Sequence, residues 1–280
     1  MKIYKRLKTD SNTVQDAVNI ANGVYDPLSG FLKKADFLSV LENMRLADGS
    51  AWSIPIVLDI DQEEYELIKN EDLIEIYNEE NNSRAFIEPE EVYSFDKKEY
   101  AEKVFGTLDR GHHGVNQVFQ KKDFLIGAKV VRVEDSADNF LEHRLSPAQT
   151  KKFFQEKKWR TIVAFQTRNF PHRSHEYLQM EALKNADGLF IHPVIGKKKP
   201  GDIRDELIID SYKILIDKYY PADKASLGIL PIKMHYAGPR EAIMHALIRR
   251  NYGCTHMIIG RDHAGVGAPA SYDIYIMFFC

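Results

Sequence analysis

The chain has 280 residues, 44% hydrophobic and 28% charged, the composition of a water-soluble globular protein, and no run of about 20 apolar residues occurs, which excludes a membrane-spanning helix. Two cysteines, Cys254 and Cys280, exclude a disulfide framework or a Cys-rich zinc module, and the polar opening MKIYKRLKTDSNTV shows no secretory signal, so a cytoplasmic protein is expected. The net charge of −3 hides a split: residues 1–150 carry 18 Lys and Arg against 28 Asp and Glu, whereas residues 151–280 carry 20 against 13 together with most of the ten histidines.

That asymmetry assigns any anionic ligand to the second part of the chain. At about 150 residues per domain, the length predicts two domains. The first 140 or so residues read as mixed, mostly β structure. Ile54–Ile60, Asp72–Tyr77, Ser83–Ile87 and Gly127–Val133 are apolar or alternating runs with strand character, and Asn81-Asn82 is the turn between the second and third. The acidic residues between 59 and 80 are expected on a solvated face, and His112-His113, set between glycines, in a loop. The boundary falls near Leu141–Ser146, where Ser146-Pro147 opens a helix through Lys151–Phe154.

Beyond it, four short apolar runs (Trp159–Gln166, Gly188–Ile195, Ser226–Lys233, Thr255–Gly260) alternate with helical patterns at 172–186, 203–219 and 239–252. Such alternation predicts a parallel sheet with right-handed crossovers, whose ligands sit at the carboxyl ends of the strands. The chemistry is therefore expected in Gln166–His175, Gly196–Asp202, His235–Arg240 and Gly260–Gly267, each of which holds Arg, Lys or His.

The first of these loops is Gln166-Thr167-Arg168-Asn169-Phe170-Pro171-His172-Arg173-Ser174-His175. Pro171 suits the first turn of a helix, which would place His172 and His175 on one face beside the open N–H groups and positive dipole end that favour phosphate. Arg168 offers an always-charged fork for an oxyanion. A zinc site is a competing reading of HxxHE, but the spacing is neither HExxH nor HxxEH, and no third ligand motif appears. In the last loop, Gly260, Arg261, Asp262, His263, Ala264 and Gly265 combine close backbone approach with a second cation. Lys197–Asp202 reads equally as a solvated basic turn, Tyr236–Glu241 as a capped helix start with Arg240 in its first turn, and Cys254 as a packed core thiol. Aromatic residues are dispersed, which argues against a base-stacking platform for nucleic acid.

Gln166-Thr167-Arg168-Asn169 with His172 and His175, followed by Gly260-Arg261-Asp262-His263-Ala264-Gly265, closely resembles the two signatures of the ATP sulfurylase (sulfate adenylyltransferase) family. The resemblance extends through Asp26–Phe31, Leu46–Asp59, Lys199–Asp202 and Tyr236–Asn251. It implies an α/β fold: a PUA-like N-terminal mixed β domain (1–143) before a Rossmann-like parallel α/β catalytic domain of the HxxH nucleotidyltransferase type (144–280). It also implies Mg-ATP and sulfate as substrates, with Mg²⁺ carried by the nucleotide, adenosine 5′-phosphosulfate and pyrophosphate as products, and a homo-oligomer. By the same resemblance Gln166, Arg168, Arg261 and the backbone at Ala264 hold sulfate, and Thr167, Arg168, Asn169, His172 and His175 are catalytic. ATP is gripped by Gln166, Arg168, Asn169, His172, His175, Gly260, Arg261, Asp262 and His263. No dedicated protein metal site is expected.

The chain departs from the family pattern at Phe170, where Pro usually follows the Asn, at His235, often Arg, and at Val266, often Pro. Family chains usually continue past this loop, so the apolar tail Ala268–Cys280 is expected to mark a truncated chain. Two alternatives stay open: an HxxH adenylyltransferase with another acceptor, and an inactive nucleotide- or RNA-binding remnant, the second opposed by the acidic first half.

Overall fold

A computed structural model describes residues 4–80, 82–136, 140–196, 203–260 and 263–265, and the backbone of 274–278. Its contacts divide the chain into two compact units: Met1–Ala137 with Met234–Leu247 and Asp262–Ala268, and Asp138–Lys233 with Ile248–Arg261 and Pro269–Cys280.

The first unit is built on a six-stranded sheet of β1 (Lys5–Lys8), β2 (Gly30–Phe31), β3 (Leu58–Ile60), β4 (Ile74–Tyr77), β5 (Arg84–Ser94) and β6 (Phe124–Glu134). The strand order is β1-β4-β5-β6-β2, with β3 also on β6. Only β1 and β4 run parallel. The register of β5 shifts at Phe86/Ile87 and at Pro89/Glu91, the second at a proline, whose missing N–H is tolerated where the ladder is irregular. The expected strands at 72–77, 83–87 and 127–133 are therefore present. The one at 54–60 is shorter than expected: only Leu58–Ile60 pairs, although Ile54 and Ile56 are fully buried, because apolar burial does not require a ladder and Pro55 has no N–H to give one.

Five helices correct the reading of this region as mostly β: α1 (Ser11–Ala21), α2 (Lys34–Asn43), α3 (Gln62–Ile68), α4 (Lys97–Phe105) and α5 (His113–Gln120). Their starts are chemically specified. Asp10 accepts from Asn12 and Thr13 N–H, Asp61 and Glu64 form a capping box, and Asp96 accepts from Lys98 and Glu99 N–H. Gly106 closes α4 at φ 67°, a left-handed position that glycine takes without strain. The acidic stretch is also not one solvated face. Glu75 is buried with Arg6 at 3.0 Å and Arg84 at 3.9 Å, and Asp59 binds Lys121 at 2.7 Å. Nor is His112-His113 a loop: His112 caps α5, its Nδ1 accepting from Gly114 and Val115 N–H.

The second unit begins with α6 (Pro147–Glu156), opened as expected by a capping box between Ser146 and Gln149. It continues through β7 (Ile162–Phe165), α7 (Arg173–Leu183), β8 (Gly188–Ile191), β9 (Val194–Ile195), α8 (Asp205–Tyr219), β10 (Ala225–Leu227), β11 (Leu230–Pro231), the end of α9 (Pro239–Asn251), whose residues up to Leu247 belong to the first unit, β12 (His256–Gly260) and β13 (Ile274–Phe278). The main sheet runs β10-β8-β7-β12-β13, its first four strands parallel and β13 antiparallel. β7 and β8 are buried at all four positions, as strands covered on both faces must be. Val163, Phe165, Leu189, Ile191 and Ile258 form one core with Ile208, Tyr212 and Leu215 of α8. Numbered by appearance, the parallel strands lie in the order 3-2-1-4, that of a Rossmann half. Within the apolar tail, Ile274–Phe278 supplies the fifth strand.

Candidate active site

The strand order locates the site before any side chain is considered. From β7 the chain builds outward to β8 and β10 on one side and later to β12 on the other, so the switch point lies at the carboxyl ends of β7 and β12, where doubly wound sheets bind ligands. The loop 166–172 leaves β7 there. Gly260 ends β12 there too, although Arg261 and Asp262, which follow it, lie outside the described residues.

Thr167 organises the first loop. Its carbonyl accepts from Val194 N–H at 2.9 Å, and its buried hydroxyl accepts from Asn169 N–H at 3.1 Å and reaches Asn169 O at 3.2 Å. This tight turn leaves Arg168 half-buried and Asn169 exposed, with the Gln166 Oε1 atom buried. α7 starts at Arg173, not at Pro171. His172 takes the cap position with extended backbone (φ −135°, ψ 171°) and makes no side-chain capping bond. Pro171 therefore sets the approach to the helix instead of its first turn, and the first-turn N–H groups receive no bond from the cap side chain.

The expected pairing of His172 with His175 holds in a closer form. Their rings stack with centroids 3.7 Å apart and planes 28° from parallel, and His175 also meets the edge of Phe165 at 5.1 Å. The His175 Nδ1 atom is buried without a hydrogen-bond partner. Burial first, and then the charge of His172, push the His175 pKa down to about 4, against a smaller opposing effect of the Phe170 backbone. His175 is thus neutral at pH 7, because stacked imidazoles in a poorly solvated place cannot both carry charge. A cavity of about 360 Å³ opens beside this pair, lined by His172, Arg173 and Glu176 and by Ser211, Ile214 and Tyr219 of α8.

The second motif region belongs to the first unit. Tyr236 (φ 61°) and Gly238 (φ 52°) turn the chain into α9 at Pro239, as the Gly-Pro start predicts. Glu241, fully buried, accepts from His235 N–H at 2.8 Å and Ala237 N–H at 3.0 Å. Gly238 N–H donates to Ala264 O at 3.2 Å. The Arg240 guanidinium is structural in this unit, donating to the Val40, Leu41 and Ser53 carbonyls at 2.8, 2.6 and 3.2 Å. His263 Nε2 lies 3.0 Å from His245 Nδ1.

Gln166, Thr167, Arg168, Asn169, His172 and His175 therefore share one loop and helix start, and Gly260 ends a strand of the same sheet. His263 and Ala264 lie with the start of α9. Lys197–Asp202 and Val266, like Arg261 and Asp262, lie outside the described residues. Sequence reasoning missed two buried groups. Glu241 and His245 were legible only as an i,i+4 pair on α9. His192 and Arg249, both fully buried, were not legible at all: Arg249 Nη2 donates to His192 O at 3.0 Å, and the His192 ring lies 4.4 Å from Phe190 and 4.5 Å from Tyr252. Burial lowers the Arg249 pKa to about 10 and that of His192 well below its ordinary value. Cys254 is the packed thiol expected, its pKa raised by burial.

A Rossmann-ordered sheet with stacked histidines at a helix start beside its switch point defines a nucleotide-handling α/β protein. Comparison with known proteins narrows that class. A family model described as ATP-sulfurylase matches residues 142–278, and one for a PUA-like domain matches residues 1–135. The sulfate adenylyltransferase of Thermococcus onnurineus is 48% identical over 278 residues, 99% of this chain and 72% of its own length. That of Pyrococcus abyssi is 48% identical over 264 residues, 94% of this chain and 69% of its own, and that of Ignicoccus hospitalis is 46% identical over 261 residues, 93% and 68%. A hexameric APS kinase structure from Thiobacillus denitrificans superposes with a TM-score of 0.69 at 22% identity, over 90% of this chain but only 46% of that one; it attests the fold. The chain belongs to the ATP-sulfurylase family, a family of nucleotidyltransferase enzymes. Among the described residues, no helix is long and apolar enough to cross a membrane.

Proposed function

We propose that the chain transfers the adenylyl group of ATP to sulfate, giving adenosine 5′-phosphosulfate and pyrophosphate. A sulfate oxygen attacks the α-phosphorus in line while the bond to the β-phosphate oxygen breaks. Sulfate is already a dianion at pH 7, so the attack needs no general base and no covalent nucleophile. Catalysis rests on positioning and on neutralising charge that moves to the leaving group. The single observation that carries this reading is the stacked His172–His175 pair at the start of α7, 3.7 Å between rings, at the switch-point end of β7.

Arg168, Gln166, Arg261 and the backbone at Ala264 hold sulfate. Thr167 fixes the turn that presents Arg168 and Asn169. His172 and His175 donate hydrogen bonds to the ATP phosphates and take up charge as pyrophosphate departs, while Asn169, Gly260, Asp262 and His263 complete the nucleotide contacts. Mg²⁺ enters as Mg-ATP, held by the phosphates; among the described residues no three His, Cys, Asp or Glu side chains converge on a common point. We place the enzyme in the cytoplasm and expect it to assemble from identical chains; the APS kinase neighbour is hexameric.

The test is pyrophosphate release from Mg-ATP with and without sulfate. Release that requires sulfate and falls at least a hundredfold in Arg168→Ala is the expected result. Release that ignores sulfate but responds to another acid would replace the acceptor. No release, with nucleotide binding unchanged in Arg168→Ala, would overturn the assignment.

A further inference from the structure

The last turn of α9 carries two arginines with opposite surroundings. Arg250 is exposed, whereas Arg249, within the second unit, is fully buried. Burying a cation is costly even when it is paired, and an apolar side chain would fill much of the same space. What distinguishes Arg249 is where its donor goes. Its Nη2 donates to the His192 carbonyl at 3.0 Å, one residue past the end of β8.

That carbonyl sits at a junction. His192 N–H donates to Phe165 O and Val194 N–H to Thr167 O, both at 2.9 Å, so the parallel pairing of β8 with β7 runs on past both strand ends. In such a ladder the N–H and C=O of one residue face the same neighbour, which turns the His192 carbonyl toward the chain leaving β7. On the opposite edge, Ile191 O accepts from Gly228 N–H at 3.0 Å and Pro193 O from Leu230 N–H at 2.9 Å. Residues 191–194 thus form a splint that carries the start of the loop Gln166–Asn169, and Arg249 ties the splint to α9. Thr167 passes the constraint on, its hydroxyl accepting from Asn169 N–H at 3.1 Å. We propose that Arg249 is a positioning residue for adenylyl transfer: by holding the His192 carbonyl it fixes residues 192–194 and, through the bond from Val194 to Thr167, the turn that presents Arg168 and Asn169. The inference rests on the functional reading above for the reaction, but not for the anchoring.

The experiment compares Arg249→Met, Arg249→Lys and Thr150→Val in the full chain, by amide hydrogen exchange without nucleotide and by sulfate-dependent pyrophosphate release from Mg-ATP. Thr150 Oγ1 donates to the Tyr252 carbonyl at 2.8 Å, so Thr150→Val loosens the chain just past α9 without touching His192. In Arg249→Met, Val194 N–H should exchange at least about tenfold faster relative to Leu189 N–H, which is bonded to Lys224 O near the other end of β8, because a local opening spares the rest of the strand. The kcat should fall at least about tenfold while the KM for Mg-ATP stays within about twofold, since His172 and His175 stand at the start of α7. Arg249→Lys keeps the cation without the planar fork and should restore part of both, and Thr150→Val should leave both near wild type. Val194 and Leu189 accelerating together would overturn the inference. So would an unchanged kcat in Arg249→Met, or an equal loss of kcat in Thr150→Val. Should Arg249→Met fail to fold, Arg249→Lys decides on the same exchange ratio. A wild-type chain without sulfate-dependent release would remove the functional reading, and the exchange ratio would still decide the anchoring.

Discussion

Arg240 offers a measurable link between the fold of the first unit and its motif loop. Its guanidinium donates to three backbone carbonyls, two of them, Val40 and Leu41, in the last turn of α2. The Val40 carbonyl also accepts from the cap residue Met44 N–H at 3.1 Å, and a cation at a helix C-terminus meets the negative dipole end. The anchor is reciprocal, because Ser53 Oγ donates to the Arg240 carbonyl at 2.6 Å. Hydrogen bonds to a charged donor contribute about 1.5–3 kcal/mol each in isolation. Three sharing one half-buried head are not additive, so Arg240→Ala should cost roughly 3 kcal/mol. For a chain of this size that lowers Tm by about 6–12 °C. Arg240→Lys keeps the charge but loses the planar fork, and should fall between the two. Thermal unfolding followed by circular dichroism reads all three proteins. A Tm for Arg240→Ala within about 2 °C of wild type would refute the view that these three bonds hold the start of α9 in place.

Three further outcomes follow from particular contacts. In Gly188→Ala the added carbon would fall 2.1 Å from Trp159 Cε3, against an indole stacked on Phe154; chemical denaturation should show a loss of about 2–3 kcal/mol. His175 titrates near 4 in the folded chain and near 6.5 unfolded, so the unfolded state binds more protons between those values. Stability should therefore fall as pH is lowered from about 6.5 toward 4, and His175→Gln should flatten that slope in pH-dependent melts. Thr167→Val removes the hydroxyl that holds Asn169; adenylyl transfer should drop more than tenfold while stability falls by only about 1 kcal/mol.

The catalytic half of the fold was legible because its signals are redundant. Runs such as Ile162–Phe165 and Gly188–Ile191 are apolar at every position, and the helices between them are long enough to show their period. The helices of the first unit were not read, although the residues that cap them stand in the sequence. Asp10, Asp96 and Gly106 are ordinary punctuation, but α1 carries β-branched Thr13, Val14, Val18 and Ile20, whose local preference is overridden by packing. At the site, the spacing of His172 and His175 revealed a shared face but not the ring stack, which depends on an extended residue at the helix cap. Glu241 and His245 escaped notice because an i,i+4 pair acquires meaning only once both are known to be buried. Buried Arg249 was invisible for the opposite reason, since charge at the end of a helix ordinarily reads as solvated.

If ATP phosphates bind at His175 as proposed, a histidine kept neutral by burial makes anion capture and proton uptake a single event. To the degree that bound phosphates lift the His175 pKa from about 4, the complex must draw protons from its surroundings. The heat of nucleotide binding should then scale with the ionisation enthalpy of the buffer, and the site would act as a small acid reservoir that fills on capture and empties as pyrophosphate leaves.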